Sequence, residues 1–136
     1  MNLTAALYDL LTGDATLAAL LATYNGSPAV FTTDPAPGDA EKPYIVSAGH
    51  VVDLPFDTKT SLGREVQRDV RCYAEADGSA VVVEAIAERV RALLHRQALS
   101  VSGFRWILSG VTGPTVADER DVYGRVLTVT CKLMED

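Results

Sequence analysis

The N-terminal part of the chain has leucines at helical spacing. The first apolar stripe follows the i, i+4, i+7, i+8 pattern and consists of Leu3, Leu7, Leu10 and Leu11. The stripe then resumes at Leu17, Leu20 and Leu21. Gly13 favours a helix end between the two groups, and Asp14 can cap a second helix by accepting from free backbone N–H groups. The pattern predicts either two short helices over residues 2–24 or one helix bent at Gly13.

A second helical pattern follows the turn residues 77–79. Its apolar stripe consists of Val82, Val83, Ile86, Val90, Leu93 and Leu94. Glu84 near the start and Arg91 near the end have the charges that complement a helix dipole. This segment is the clearest helix that the sequence predicts.

The other regular segments alternate with the period of a β-strand. Ala29–Thr33 is short and rich in β-branched residues, which predicts an edge strand, whereas Tyr44–Val52 is partly apolar on both faces and is expected inside a sheet. Arg64–Glu75 alternates as a strand with one wet face does. Phe104–Thr112, ending at a Gly-Pro pair, and Tyr123–Leu133 are also predicted strands. The order indicates an α+β fold, an antiparallel sheet of four to five strands with helices packed on one face, in a single domain over residues 1–136.

The connection between the two middle strands, residues 53–63, has an unusual composition. It is longer than an ordinary hairpin loop, and it contains the large apolar residues Leu54, Phe56 and Leu62. Leaving such side chains in water forfeits about 1.5–3 kcal/mol of burial for each. The residues therefore either fill the end of the domain's own core or meet another surface.

Composition narrows the function classes. The 136 residues are 48% hydrophobic and 22% charged, which predicts a folded chain, and the net charge is −6. An acidic chain without a basic run is poorly suited to wrapping nucleic acid. The apolar runs are too short to cross a bilayer, and the N-terminal residues lack the basic segment of a signal peptide, so neither membrane insertion nor secretion is expected.

No pattern in the sequence indicates catalysis, a cofactor or a metal. His50 and His95 have no ligand partners at metal-binding spacing. The loop at residues 77–79 could hold an anion, and residues 118–121 a divalent cation, but a helix-capping turn and a solvated connection explain them better. Cys72 and Cys131 are predicted as buried thiols; a disulfide stays open because their strands could be neighbours.

Arginines occur on several of the predicted strands, at positions 64, 68, 71, 105 and 125. Acidic residues are interspersed among them, which favours cross-strand or intersubunit ion pairs over a phosphate-binding groove.

Four segments, in this order and at these separations, carry a family resemblance: Leu3–Leu7, Pro43–Val46, Val66–Ala74 and Ile86–Leu93. With them the chain resembles the small tail-terminator (tail-completion) proteins of long-tailed phages and phage-like gene transfer agents. The resemblance implies a structural, non-enzymatic protein. It implies a homo-oligomeric ring of six subunits at the head-proximal end of the tail tube, where the ring stops tube polymerisation and joins the tail to the neck.

The resemblance also implies the partners and the location. They are the tail tube protein and a neck or head-completion protein, in the tail of a virion or phage-like particle assembled in the host cytoplasm. DNA would pass through the lumen without specific binding. We expect the subunit or tube interface to include Leu54, Pro55, Phe56 and Leu62. The alternatives are another neck or head–tail joining protein, or a small α+β enzyme or ligand-binding domain whose site the sequence does not reveal.

Overall fold

A computed structural model describes residues 2–119 and 121–136. Three helices and eight strands follow one another in the order α1 (Leu3–Gly13), α2 (Ala15–Leu20), β1 (Thr23–Tyr24), β2 (Ser27–Pro28), β3 (Val30–Phe31), β4 (Tyr44–Val46), β5 (His50–Pro55), β6 (Gly63–Glu75), α3 (Val81–Leu94), β7 (Phe104–Val116) and β8 (Val122–Glu135).

The N-terminal pattern forms two separate helices. The Asn2 side chain accepts a hydrogen bond from the Ala5 N–H group and caps α1. The Asp14 carboxylate accepts from the Leu17 N–H group at 2.8 Å and caps α2. Each cap satisfies backbone donors that a helix start leaves free, so the chain begins a new helix directly after Gly13 instead of bending one.

The main sheet has six strands and is mixed. Its order is β3-β4-β6-β8-β7, and β5 pairs with β6 beyond the end of β4. The expectation of four to five strands, all antiparallel, was therefore wrong in detail: β3 and β4 are parallel, and β1 and β2 form a small separate sheet. Parallel pairing needs a long return connection, and the proline-containing segment 32–43 supplies it.

The predicted strand Tyr44–Val52 is in fact two strands, β4 and β5. Both pair with the same side of β6, and the chain leaves the sheet between them. Arg68 lies at this break and is only 1% exposed. Its guanidinium donates to the carbonyl oxygens of Ser47 and Ala48 and to the Thr4 hydroxyl of α1. A buried cation needs such acceptors, and the break in the sheet provides two of them.

Strand β7 continues beyond the Gly113-Pro114 pair at which the sequence predicted its end. A register shift between Thr112 and Thr115 accommodates the two residues, and pairing with β8 then resumes. Gly113 has φ +99, and a Cβ there would lie 2.8 Å from the Val126 carbonyl oxygen. The glycine thus permits an irregularity inside the strand, as β-bulges do.

The helices pack on one face of the sheet and enclose the core. The buried face of α3 consists of Val83, Ile86, Ala87, Val90 and Leu94. Val82, which the sequence placed on this stripe, is 42% exposed because it lies at the border of the stripe in the first helical turn. On the sheet, alternate residues of β6 and β8 are buried, as a strand with one apolar face requires: Val66, Val70, Cys72, Ala74, Leu127, Val129, Cys131 and Leu133. Tyr123, on the same face at the start of β8, is only partly buried.

The two cysteines lie on neighbouring strands but far apart along them. Cys72 is opposite Arg125, and Cys131 is opposite Val66. The distance from Val66 to Cys72 is six residues, about 20 Å of extended strand. Both thiols are free and buried, and burial raises the pKa of each to about 12.

Candidate subunit interface

The hairpin formed by β5 and β6 contains the four predicted interface residues. Leu54 and Pro55 lie at the end of β5, whereas Phe56 and Leu62 lie in the loop that follows, so the predicted loop 53–63 is shortened by the strand. Leu54 is 51% exposed, Phe56 36% and Leu62 60%. The structure brings the four residues together at one end of the sheet, where they do not fill the end of the core.

Hydrogen bonds hold this hairpin tip in an ordered shape. The Phe56 N–H group donates to the Gly63 carbonyl at 2.8 Å, and the Thr58 N–H group donates to the Ser61 carbonyl at 2.9 Å. The Asp57 carboxylate accepts from the Gly63 N–H group at 3.0 Å. A tip fixed in this way presents its apolar side chains with little conformational entropy left to lose on binding.

Charged groups surround the apolar residues of the tip. The Lys132 ammonium lies 5.0 Å from the centre of the Phe56 ring and 3.9 Å from the Glu65 carboxylate. Arg64 and Asp53 form an ion pair across the hairpin. The hydrogen bond from Arg64 lowers the pKa of the Asp53 carboxyl, so this acid stays ionised at neutral pH.

A second exposed apolar surface, which the sequence reasoning missed, lies on β7. Ile107 is 45% exposed and Leu108 is 53% exposed. The pairing with β8 shifts register between Trp106 and Leu108, so Ile107 lies in an irregular position. The signal was visible in the sequence, because two adjacent large apolar residues interrupt the alternation of this strand.

Two open grooves lie beside Leu108. The larger has a volume of about 470 Å³ and extends across the helix-free face of the sheet to Glu65, Thr130 and Lys132. The smaller, about 300 Å³, lies between β7 and the segment 96–98 that follows α3. Both have room for large side chains, and Arg96 and Ser109 line both.

Helix α3 covers the other half of the β7 edge. The Arg91 guanidinium donates to the carbonyl oxygens of Val111 and Gly113 at 2.9 and 2.8 Å. His95 Nδ1 accepts from the Val111 N–H group at 3.1 Å. These contacts satisfy backbone groups that an edge strand otherwise exposes to other chains.

The remaining candidate chemistry has structural roles. His95 binds the β7 edge, and His50 lies on β5, where burial and the nearby Arg68 guanidinium lower its pKa. The 77–79 segment is a turn in which the Asp77 carboxylate accepts from the Ser79 N–H group. Asp118 accepts from Arg125, which also pairs with Glu84 of α3.

In residues 2–119 and 121–136, no three His, Cys, Asp or Glu side chains converge as metal ligands would. None of the three described helices has the length and apolar character needed to cross a membrane.

The predicted arginine pairs occur in part. Arg64 pairs across the hairpin with Asp53, Arg71 lies 3.8 Å from Asp69, and Arg125 lies within 3.2 Å of both Glu84 and Asp118. Arg68 differs, since it lies in the core and bonds to neutral oxygens. Arg105 is exposed and forms no ion pair with the described residues.

Comparison with known proteins places this domain in a class. The family described as "Tail completion protein gp17" matches residues 5–135. A match over nearly the whole chain makes the protein a structural component of a phage-type tail. The chain belongs to the tail completion protein gp17 family, which confirms the resemblance carried by the four sequence segments. Among curated proteins, none matches the sequence.

The fold is also that of a protein in a solved particle. A chain of the structure titled "Virion of native gene transfer agent (GTA) particle" superposes with a TM-score of 0.81. The alignment covers 97% of this chain and 94% of that chain, at 23% sequence identity. The likeness confirms the α+β fold over the length of both chains.

Proposed function

We propose that this protein is a tail terminator. Several copies form a ring, six in the arrangement that the resemblance implies, at the head-proximal end of the tail tube. The ring ends tube polymerisation and offers its other side to the neck of the capsid. The observation that carries the proposal is the family match over residues 5–135. The likeness to a chain of a gene transfer agent virion supports it, because that chain also belongs to an assembled particle.

The surface of the domain suits assembly better than catalysis. Most of its exposed large apolar side chains lie on the β5–β6 hairpin and on β7, where Leu54, Leu62 and Leu108 are each more than half exposed; Val81 and Val82 at the start of α3 are exposed as well. Clustered apolar groups of this kind mark protein–protein contact sites. His95 accepts a hydrogen bond from the β7 edge, and His50 lies on β5. The proposed function includes no reaction, no cofactor and no metal.

Partners follow from this role. The tube protein meets one side of the ring, and a neck or head-completion protein meets the other. DNA passes through the lumen without sequence-specific contacts, in keeping with the net charge of −6 on each copy. The location is the head-proximal end of the tail, after assembly in the host cytoplasm.

Electron microscopy of tails tests the proposal directly. Tails assembled with this protein should have a defined length and a ring of it, marked by a fused tag, at the head-side end. Tails assembled without the protein should grow past that length and fail to attach to capsids. If the tag lies in the neck beyond the tail end, and tube length does not depend on the protein, it is a head–tail joining protein instead.

A double variant tests the absence of a reaction. His50→Gln together with His95→Gln should leave tail assembly intact. A modest loss of thermal stability is expected from His95, because its Nδ1 accepts the Val111 N–H group. Complete loss of assembly by a folded double variant would contradict a purely structural role.

A further inference from the structure

Besides the two-residue strand β3, the main sheet has open edges at β5 and β7, which have no partner on their outer sides among the described residues. Strand β5 pairs with β6 on one side only, and β7 pairs with β8 on one side only. On β7, the contacts from α3 reach Val111 and Gly113 and leave the segment 105–109 without backbone partners along its outer edge. Open edges of this kind tend to pair with other chains.

We propose that copies of this protein join head to tail through these two edges. The β5 edge of one copy lies along residues 105–109 of the next copy, and the hairpin side chains fill the grooves beside Leu108. The proposal deepens the ring assigned above, and it commits the hairpin to a second copy of this chain as its partner.

The two edges are level with each other along the strand direction. Leu54 pairs with Glu65, Glu65 with Lys132, and Lys132 with Leu108. One row therefore runs across the sheet from the free edge of β5 to the free edge of β7. A second copy placed beside the first by rotation, without sliding along the strands, brings the two edges together.

The strand directions are also compatible with this contact between β5 of one copy and β7 of the next. The neighbours β5-β6, β6-β8 and β8-β7 are all antiparallel. Four strands in alternation leave β5 and β7 pointing in opposite directions. Copies related by rotation about an axis along the strands would then meet with β7 and β5 antiparallel, which continues the pattern of the sheet without interruption.

Shape and charge are complementary. The β5 side projects Leu54 and Leu62, whereas the β7 side has the two grooves of about 470 and 300 Å³. Segment 50–62 contains two acids and one lysine; segment 96–108 contains two arginines, Arg96 and Arg105, and no acid. The hairpin therefore meets a surface of opposite net charge.

A joint between two different surfaces is heterologous, and such joints build rings when the rotation closes. Closure would also cover the β5 and β7 edges of every copy, as it does in barrels. The same surfaces do not explain a symmetric dimer, because two hairpins facing each other would leave both grooves empty.

Cross-linking in assembled tails tests the joint. The double variant Pro55→Cys with Ile107→Cys places exposed thiols on both edges, because the row of Pro55 reaches β7 at Trp106, next to Ile107. A short bis-maleimide should convert it into a ladder of multimers up to the full ring. The native thiols are fully buried, so they provide little background. Leu54→Cys with Leu108→Cys is a second pair, in the adjacent row.

The matched control is Pro55→Cys with Val116→Cys. Val116 is on the same strand and 68% exposed, but it lies nine residues, about 30 Å, from Ile107. We expect no ladder from it. Dimers from Pro55→Cys alone would indicate a symmetric contact and overturn the proposal.

The outcomes separate this proposal from the function it rests on. Tails that carry the ring but give no ladder with either edge pair would overturn the edge joint and leave the terminator role in place. Tails that carry no ring of this protein would overturn the terminator role itself.

Discussion

Replacing the exposed leucines of the hairpin tip should separate folding from assembly. In the double variant Leu54→Ser with Leu62→Ser, two side chains that are 51% and 60% exposed lose their apolar atoms. Full burial of a leucine contributes about 1.5–3 kcal/mol. About half of that burial free energy, near 1 kcal/mol for each leucine, already stabilises the isolated chain and is lost in the variant. The free energy of unfolding should therefore fall by only about 2 kcal/mol.

The other half is realised only when a partner covers the tip. Losing it removes about 2–3 kcal/mol from each contact between subunits, which corresponds to roughly 30- to 150-fold weaker association. Urea unfolding of the purified variant measures the first quantity. Tail length and ring occupancy in electron micrographs measure the second, and we expect overlong tails with few rings.

The matched control is Leu127→Ala, at a leucine of β8 that is fully buried. It should cost about 2–5 kcal/mol of unfolding free energy, as core truncations do. Two results would refute the reasoning. One is a tip variant whose loss of unfolding free energy, divided by its two substitutions, equals that of the control, which would make the tip part of the core. The other is a tip variant that still terminates tails at normal length.

Three further predictions concern other parts of the fold. Asp14→Asn keeps the α2 cap but loses the ion pair with Arg89. The hydrogen bond from Arg89 lowers the pKa of Asp14 in the folded chain. The native chain should therefore be more stable than the variant above about pH 4, and this difference in stability should vanish as the pH falls through the folded-state pKa. Thermal melts over this pH range measure the difference. Cys72 and Cys131 should resist maleimide at pH 8 until urea unfolds the chain, because burial raises both pKa values to about 12; rapid labelling of native protein would contradict their burial. Gly63→Ala should lower the melting temperature, since its Cβ would clash with the carbonyl oxygens of Phe56 and Leu133; an unchanged melting temperature would show that the hairpin can shift.

The sequence alone predicted the elements whose environment is uniform along their length. The leucine stripes of the two N-terminal helices and the alternation of Arg64–Glu75 each reflect one continuous apolar partner, so local periodicity was enough. The family resemblance had a similar basis, since it rested on the order of these same elements.

Only the tertiary structure decided the irregular features. The split of residues 44–52 into β4 and β5 depends on the Arg68 guanidinium, which bonds to carbonyl oxygens at the break. The continuation of β7 past Gly113 depends on its long partner β8. In both cases the cause lies in another segment of the chain, the Arg68 side chain in one and strand β8 in the other. A local sequence pattern does not contain such a partner.

The candidate interface shows the same division. Sequence composition singled out Leu54, Phe56 and Leu62, because large apolar residues in a long connection need an explanation. Their exposure, and the open edge and grooves on the opposite side of the sheet, emerged only from strand order and register. Sequence patterns specify which face of a strand is apolar, whereas the packing of the whole chain decides which edges remain open for another copy.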